Sequence, residues 1–151
     1  MVNQTKIKKS DAVDKLAELK GLEITHAWRG HGSAIFLEFG LLKDSPRGNN
    51  PIGEVEVMIE WSWRIEDLKS IILGSWSDNE EIDKFPELVV GKRIKDVQFT
   101  GRIPELELTL TDNLWLLTFM TEKGYPDWSI KFKNGAWLSY DDGSFVVESE
   151  T

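Results

Sequence analysis

Two stretches of the chain, GLEITHAWRGHGSAIFLEF at 21–39 and GKRIKDVQFTGRIPELELTL at 91–110, repeat one pattern. Each begins with a glycine, continues into an alternating segment, and ends in an apolar strand after a polar loop that contains glycine and arginine. Gly91 lies 70 residues after Gly21, and the strands that close the two stretches are offset by 71. An internal repeat of this kind predicts one supersecondary unit used twice, in which neither copy buries its apolar face alone.

The repeat is imperfect in the first strand of each copy. In the first copy, alternation places four side chains on one predicted buried face: Leu22, Ile24, His26 and Trp28. At an offset of 70, however, His26 and Trp28 correspond to the polar residues Asp96 and Gln98. A β-bulge or a one-residue slip in register would restore the match between the copies.

The rest of the chain predicts a mainly β (α+β) fold, an antiparallel barrel or sandwich in a single domain over 1–151. It is built from two similar β-meander halves, at about 20–77 and 90–148. An N-terminal helix over 10–20, capped by Ser10, and a short helical linker within 78–90 complete it. The strands predicted after the linker are 92–99, 105–111, 114–120, 127–133, 136–140 and 144–148.

Turn chemistry supports this assignment. Asn134-Gly135 and Asp142-Gly143 are typical of type I′ hairpins, and Asp112-Asn113 predicts a further turn. The first half instead has a long irregular connection at 41–53, rich in proline, glycine and asparagine.

Composition excludes several classes of function. The chain has no cysteine, which removes disulfides, thiolate zinc sites and cysteine nucleophiles. Its formal net charge of −8 disfavours nucleic acid and favours a basic partner. No secretory signal peptide and no apolar stretch long enough to span a membrane is found, so a cytoplasmic protein without membrane contact is expected.

A face lined by glutamates lies on the segment EVEVMIEWSWRIE at 54–66, predicted as one long strand. Valine, isoleucine and tryptophan alternate with charged residues there, so one face is expected to be buried and the other wet. The wet face, together with the exposed tryptophan expected in the Gly74-Ser75-Trp76-Ser77 turn, predicts a docking surface for a protein partner: Glu54, Glu56, Glu60, Arg64 and Trp76. The chain has seven tryptophans, and the others are expected mainly in the core.

A pocket between the two halves is the alternative. Arg29, His31 and Arg102 belong to the two glycine-containing loops and could present cations and backbone N–H groups to a small ligand. His26 is expected to be a hydrogen-bonded core residue. Because the chain has no paired-histidine motif, no complete calcium loop and no partner for a catalytic histidine, neither a metal, a cofactor nor an enzymatic activity is expected.

Three segments of the chain carry a resemblance to known proteins. They are Trp61-Ser62-Trp63-Arg64-Ile65-Glu66, Ile72-Leu73-Gly74-Ser75-Trp76 and Gly101-Arg102-Ile103-Pro104-Glu105-Leu106. The pattern resembles small uncharacterised bacterial β-rich proteins, some of which are similar to the immunity partners of secreted toxins. The resemblance implies a bacterial, cytoplasmic protein and carries over no catalytic residue.

Charge and the absence of a catalytic constellation therefore predict a non-catalytic protein-binding module, of which an immunity-type inhibitor of a basic toxin is the most concrete form. A homodimer, formed through an open sheet edge, is compatible with the same sequence.

Overall fold

The chain folds into two antiparallel sheets with short helices. The structure, a computed structural model, describes residues 2–46, 48–124 and 126–150. In that part of the chain lie the helices α1 (Lys9–Leu16), α2 (Asn79–Ile82) and α3 (Phe85–Val89), with a 3₁₀ turn at Ala17–Leu19. Twelve strands are described: β1 (Val2–Ile7), β2 (Ile24–Arg29), β3 (Ile35–Phe39), β4 (Val55–Ile59), β5 (Trp63–Glu66), β6 (Ile71–Gly74), β7 (Ile94–Thr100), β8 (Glu105–Leu110), β9 (Leu114–Thr118), β10 (Trp128–Lys131), β11 (Trp137–Asp141) and β12 (Ser144–Glu150).

The two sheets pack as a sandwich. A seven-stranded sheet has the order β1-β12-β11-β10-β4-β3-β2, and a five-stranded sheet has the order β6-β5-β9-β8-β7. Apolar residues of both sheets form one buried cluster, which includes Leu37 and Val57 from the first and Leu108 and Leu116 from the second. The predicted mainly β fold is confirmed as a sandwich, since no closed barrel forms among the described strands.

The two halves exchange strands. The meander β2-β3-β4 lies in the seven-stranded sheet, and the chain then crosses to place β5 and β6 in the five-stranded sheet. The meander β7-β8-β9 lies in the five-stranded sheet, and the chain then crosses back to place β10, β11 and β12 beside β4. Each meander is therefore extended by strands of the other half, and neither sheet can be completed by one half alone.

Backbone hydrogen bonds repeat the same exchange where β2 and β7 begin. Four bonds of 2.8 to 3.0 Å form two reciprocal pairs: Gly21 N to Ile94 O with Gly91 N to Ile24 O, and Ile24 N to Lys92 O with Ile94 N to Leu22 O. Both glycines have positive φ, +83° for Gly21 and +93° for Gly91, which glycine adopts without strain. The two copies of the sequence pattern thus meet at equivalent backbone positions.

A β-bulge occurs in both copies, and in β2 it changes which side chains face the core. The register shifts between Ile24 and His26, and in the second copy at the equivalent step between Ile94 and Asp96. Beyond the bulge, Ala27 turns into the core, as Val97 does in β7. His26 is therefore on the outer face of the sheet with Trp28, and the prediction that it lies in the core is wrong.

The structure differs from the prediction at two places near the N-terminal end of the chain. Residues 2–7 form β1, which pairs with β12 and has no counterpart in the prediction. The first helix begins at Lys9, so Ser10 lies inside its first turn and not at its cap. Among the described residues, no helix has the length and apolar composition needed to cross a membrane.

The segment 54–66 is two strands and not one. Between β4 and β5 the chain breaks at Ser62, whose φ of +63° is a left-handed conformation that ends the strand. Val55, Val57 and Ile59 face the core from one sheet, and Trp63 and Ile65 face it from the other. The predicted face shared by all of 54–66 therefore does not exist, and Trp61 is exposed instead of buried.

Candidate functional site

The two chain crossings between the sheets lie side by side. The first crossing spans residues 60–62, between β4 and β5, and the second spans 119–127, between β9 and β10. The backbone N–H of Glu60 donates to the carbonyl of Asp127 at 2.7 Å, and that of Phe119 donates to the carbonyl of Ser62 at 2.7 Å. The three-residue crossing is thus held against the nine-residue crossing, and a side chain from either one can reach the space between them.

A cavity of about 320 Å³ opens between the two crossings. Acidic and apolar side chains share its wall: Glu60, Trp61, Met120, Glu122, Pro126 and Asp127. Glu60 and Glu122 are exposed, so the mouth of the cavity carries negative charge. We call these residues, together with Trp76 and Phe119, the crossover site.

Asp127 is the buried polar group of the crossover site. Only 6% of the residue is exposed, and its Oδ1 accepts a hydrogen bond from the backbone N–H of Trp61 at 3.1 Å. Its Oδ2 is buried and has no hydrogen-bond partner within the described ranges. Buried carboxylate oxygens in folded proteins are normally paired, so the side chain of Asp127, a residue that lines the cavity, has one acceptor oxygen without a donor.

The electrostatic surroundings of Asp127 agree with this interpretation. Burial raises the pKa of its carboxyl group to about 7, against an ordinary value of 3.8, and the bond from the Trp61 N–H only partly offsets the effect of burial. The negative charges of Glu105, Glu60 and Glu122 raise the pKa further. A cation placed in the cavity would oppose both causes.

Three exposed aromatic side chains surround the same crossings. Trp76 is 84% exposed, Phe119 68% and Trp61 42%. The rings of Trp61 and Trp76 lie 6.3 Å apart, centroid to centroid. Phe119 lies close by, because its backbone N–H donates to the carbonyl of Ser62. Exposed tryptophan next to charge is typical of protein-binding hot spots.

The predicted docking residues divide into two groups. Glu60 and Trp76 belong to the crossover site, and the predicted exposure of Trp76 is confirmed. Glu54 and Arg64 lie elsewhere: Glu54 faces Lys133 at 3.7 Å, and Arg64 is paired with Glu66 at 2.9 Å on the outer face of the five-stranded sheet.

Glu56 was predicted to be exposed, and this is wrong. It is 7% exposed and lies opposite Glu38, which is 0% exposed, in the register of β3 and β4. Glu38 accepts hydrogen bonds from the Trp28 indole and from the backbone N–H of Gly53, both at 2.9 Å. Burial, followed by the hydrogen bond and the charge of Glu38, raises the pKa of Glu56 to about 8. With this pKa, Glu56 is protonated at neutral pH and donates a hydrogen bond to Glu38.

The long connection at 41–53 explains this burial. Lys43 and Ile52 pair as an isolated bridge, and the connection folds back over the outer face of β2 and β3. Asn50 there accepts a hydrogen bond from His26 (Nε2 to Oδ1, 3.0 Å), next to the Gly53 bond to Glu38. Strand alternation identifies the face that turns away from the core, but it does not show that a distant loop covers that face.

The residues of the alternative pocket are not brought together by any contact. Arg29 is held by α2, through Asp83 at 2.8 Å and Asn79 at 2.7 Å. His31 and Arg102 are exposed in separate turns, after β2 and after β7. The crossover cavity and a second cavity of about 480 Å³, between β6 and the helical linker, are both lined by other residues.

Sequence reasoning missed Asp127, Glu122 and Phe119. The available signal was the unequal spacing of the two crossings, since the strand break at Ser62 has a much longer counterpart between β9 and β10. In the part of the chain that the structure describes, no group of three or more histidine, aspartate or glutamate residues is placed to hold a metal ion. No protein-family model, no curated protein and no solved structure matches this chain.

Proposed function

We propose that the protein is a non-catalytic binding module that engages a basic protein through the crossover site. The observation that carries the proposal is the buried, unpartnered Oδ2 of Asp127 at a cavity whose mouth is lined by carboxylates and exposed tryptophan. An immunity-type inhibitor of a basic toxin is the most concrete form of this function.

The distribution of charge supports a basic partner. The chain has a net charge of −8, and Glu60 and Glu122 concentrate negative charge at the mouth of the cavity. Complementary charge steers a partner to such a surface and fixes its orientation, while buried aromatic contacts supply most of the affinity. Trp61, Trp76 and Phe119 provide those contacts around the acidic mouth.

A matched pair of charge-reversal variants tests the proposal. The double variant E60K/E122K changes the crossover site, and E18K/E80K makes the same change in net charge at exposed positions elsewhere. Each tagged protein is used to capture partners from the lysate of its own host at low and at high salt, with identification by mass spectrometry.

We expect wild type and E18K/E80K to retain the same basic protein in a stoichiometric complex that high salt weakens. E60K/E122K should lose it. If E60K/E122K retains that protein as well as wild type does, the crossover site is not the binding surface. If the wild type retains no basic protein, the proposed function itself is wrong.

A further inference from the structure

The side chains that line the crossover cavity restrict the kind of chemical group that it can bind. Glu105, a carboxylate whose charge acts on Asp127 from β8, is already satisfied, because it accepts bonds from the Thr118 hydroxyl and the Met120 backbone N–H, both at 2.8 Å. Asp127 has one oxygen bonded to the Trp61 N–H and the other without a partner. The cavity therefore requires a hydrogen-bond donor, and its three carboxylates, those of Asp127, Glu60 and Glu122, require that donor to be cationic.

The wall of the cavity distinguishes between cations. A metal ion would need several oxygen ligands close together, whereas Trp61, Met120 and Pro126 contribute apolar surface to this wall. An ammonium group is compact and strongly hydrated, so an apolar wall removes water from it at a high cost. A guanidinium group is planar and weakly hydrated, stacks on aromatic rings, and has five N–H donors that can reach more than one carboxylate.

We propose that the crossover cavity binds a guanidinium group, presented as an arginine side chain by the basic partner. Its N–H groups face the carboxylates of Asp127, Glu60 and Glu122, and the plane of the group lies against the Trp61 indole. This inference rests on the proposed function for the source of the arginine, but the assignment of the guanidinium itself rests on the cavity.

The test is a titration of ¹⁵N-labelled protein followed by NMR, with the indole N–H signals of Trp61 and Trp76 as reporters. Three capped amino acids are compared: acetyl-arginine amide, acetyl-lysine amide and acetyl-citrulline amide, in which a neutral urea replaces the guanidinium. A capped Gly-Gly-Arg-Gly-Gly peptide then tests whether the group can be bound as part of a protein chain.

We expect saturable shifts of the Trp61 indole with the arginine compound, and binding of citrulline weaker by about tenfold or more, since a hydrogen bond to a charged group is lost. Lysine should fall between them. D127N retains an acceptor for the Trp61 N–H but loses the charge, and it should weaken arginine binding by about tenfold or more. Because the citrulline comparison uses wild-type protein, it does not depend on how the variant folds.

The outcomes separate this inference from the proposed function. Equal binding of arginine and citrulline, or no binding of arginine, overturns the guanidinium assignment, even if charge reversal still abolishes capture of a basic protein. Binding of the free arginine compound without binding of the peptide supports the guanidinium site and identifies its source as a small molecule, which contradicts the proposed function. Binding of both supports the proposal as stated.

Discussion

The two crossings between the sheets lead to equivalent tryptophans but differ in length. Each delivers a buried tryptophan as the first residue of the following strand, Trp63 in β5 and Trp128 in β10. The Trp63 indole donates to the carbonyl of Ser33 at 2.8 Å, and the Trp128 indole donates to that of Pro104 at 3.0 Å. Both carbonyls lie just before the second strand of the meander in the same half.

The difference between the crossings lies in the chain that precedes each tryptophan. The first crossing uses three residues and the second uses nine, and the longer one contributes Met120, Thr121, Glu122, Pro126 and Asp127 to the wall of the cavity. The equivalent tryptophans are needed to hold two sheets together, whereas nothing in that task requires the longer crossing. The fold therefore depends on the tryptophans that both halves share, and the candidate site depends on the longer crossing, which only the second half has.

The meanders show a second difference of the same kind. The buried pair Glu38 and Glu56 corresponds in register to Thr109 and Trp115 in the second copy. The first copy has a long connection over this face, and the second has a tight turn at Asp112 and Asn113, both with positive φ. Two carboxyl groups are therefore buried in one copy, at a position where the other copy has none.

Substitution of the two equivalent tryptophans should have the largest effect on stability. W63A and W128A should each lower the free energy of unfolding by about 3–5 kcal/mol, because a large buried side chain is lost and a cavity remains. Urea denaturation measures both. A cost below about 1 kcal/mol for either variant would show that the two positions are not equivalent.

The buried acid pair should make stability fall as the pH rises. Folding raises the pKa of Glu56 from 4.5 to about 8, so between these values the folded protein holds a proton that the unfolded chain has lost. Stability from this group is thus fully present at low pH and declines as the pH approaches 8. We expect E56Q, which keeps a donor for Glu38 and does not titrate, to be more stable than wild type at pH 8.5 by about 2–3 kcal/mol.

Thermal melts at pH 5 and pH 8.5 check this prediction. Wild type and E56Q should differ little at pH 5, and at pH 8.5 by several degrees, at about 2–4 °C per kcal/mol for a chain of this size. The second copy has no such pair, so T109A provides a control without pH dependence. A constant difference between wild type and E56Q at the two pH values would contradict the protonated state of Glu56.

A smaller effect of the same sign is expected at the crossover site. D127N removes a buried charge that only the Trp61 N–H partly offsets, so it should stabilise the isolated protein at pH 8.5 by about 1–2 kcal/mol and leave it almost unchanged at pH 5. Gain of stability together with loss of binding is typical of a residue kept for function. Destabilisation at both pH values would instead assign Asp127 a purely structural role.

The smallest effect on stability is expected at Trp76. Because this side chain is 84% exposed, W76A should change the free energy of unfolding by less than about 0.5 kcal/mol. Its loss should nevertheless weaken capture of the basic partner, with I103A, at another exposed apolar side chain, as the control. Unchanged capture with W76A would restrict the binding surface to the cavity and its rim.

Local chemistry allowed much of the fold to be predicted. The repeat offsets of 70 and 71 correspond to the register of β2 with β3 and of β7 with β8. Gly21 and Gly91, the glycines that begin the two copies, both have positive φ. Both residues of the Asp142-Gly143 turn have positive φ, as a type I′ hairpin requires, but at Asn134-Gly135 only the glycine does.

The errors arose where a local pattern was interrupted or covered by distant chain. The left-handed backbone of Ser62 divides 54–66 between two sheets. The alternation of apolar and polar residues runs on through Ser62, so it gave no sign of the break. Strand β1 is polar, and its pairing with β12 at the other end of the chain leaves no local signal. Asp127 is a site residue only because it lies beside Trp61, which is 66 positions away in the chain, so its sequence neighbours did not identify it.

The dependence of arginine affinity on pH tests the central claim, that the longer crossing builds a cationic site around Asp127. The groups facing this carboxyl are Glu60 from the first crossing, Glu105 from β8 and Glu122 from its own crossing. With the pKa of Asp127 near 7, only the deprotonated fraction binds, so the affinity for acetyl-arginine amide should rise by about tenfold from pH 6 to pH 8. D127N should bind weakly and without this rise. An affinity of wild type that is the same at both pH values would contradict the account.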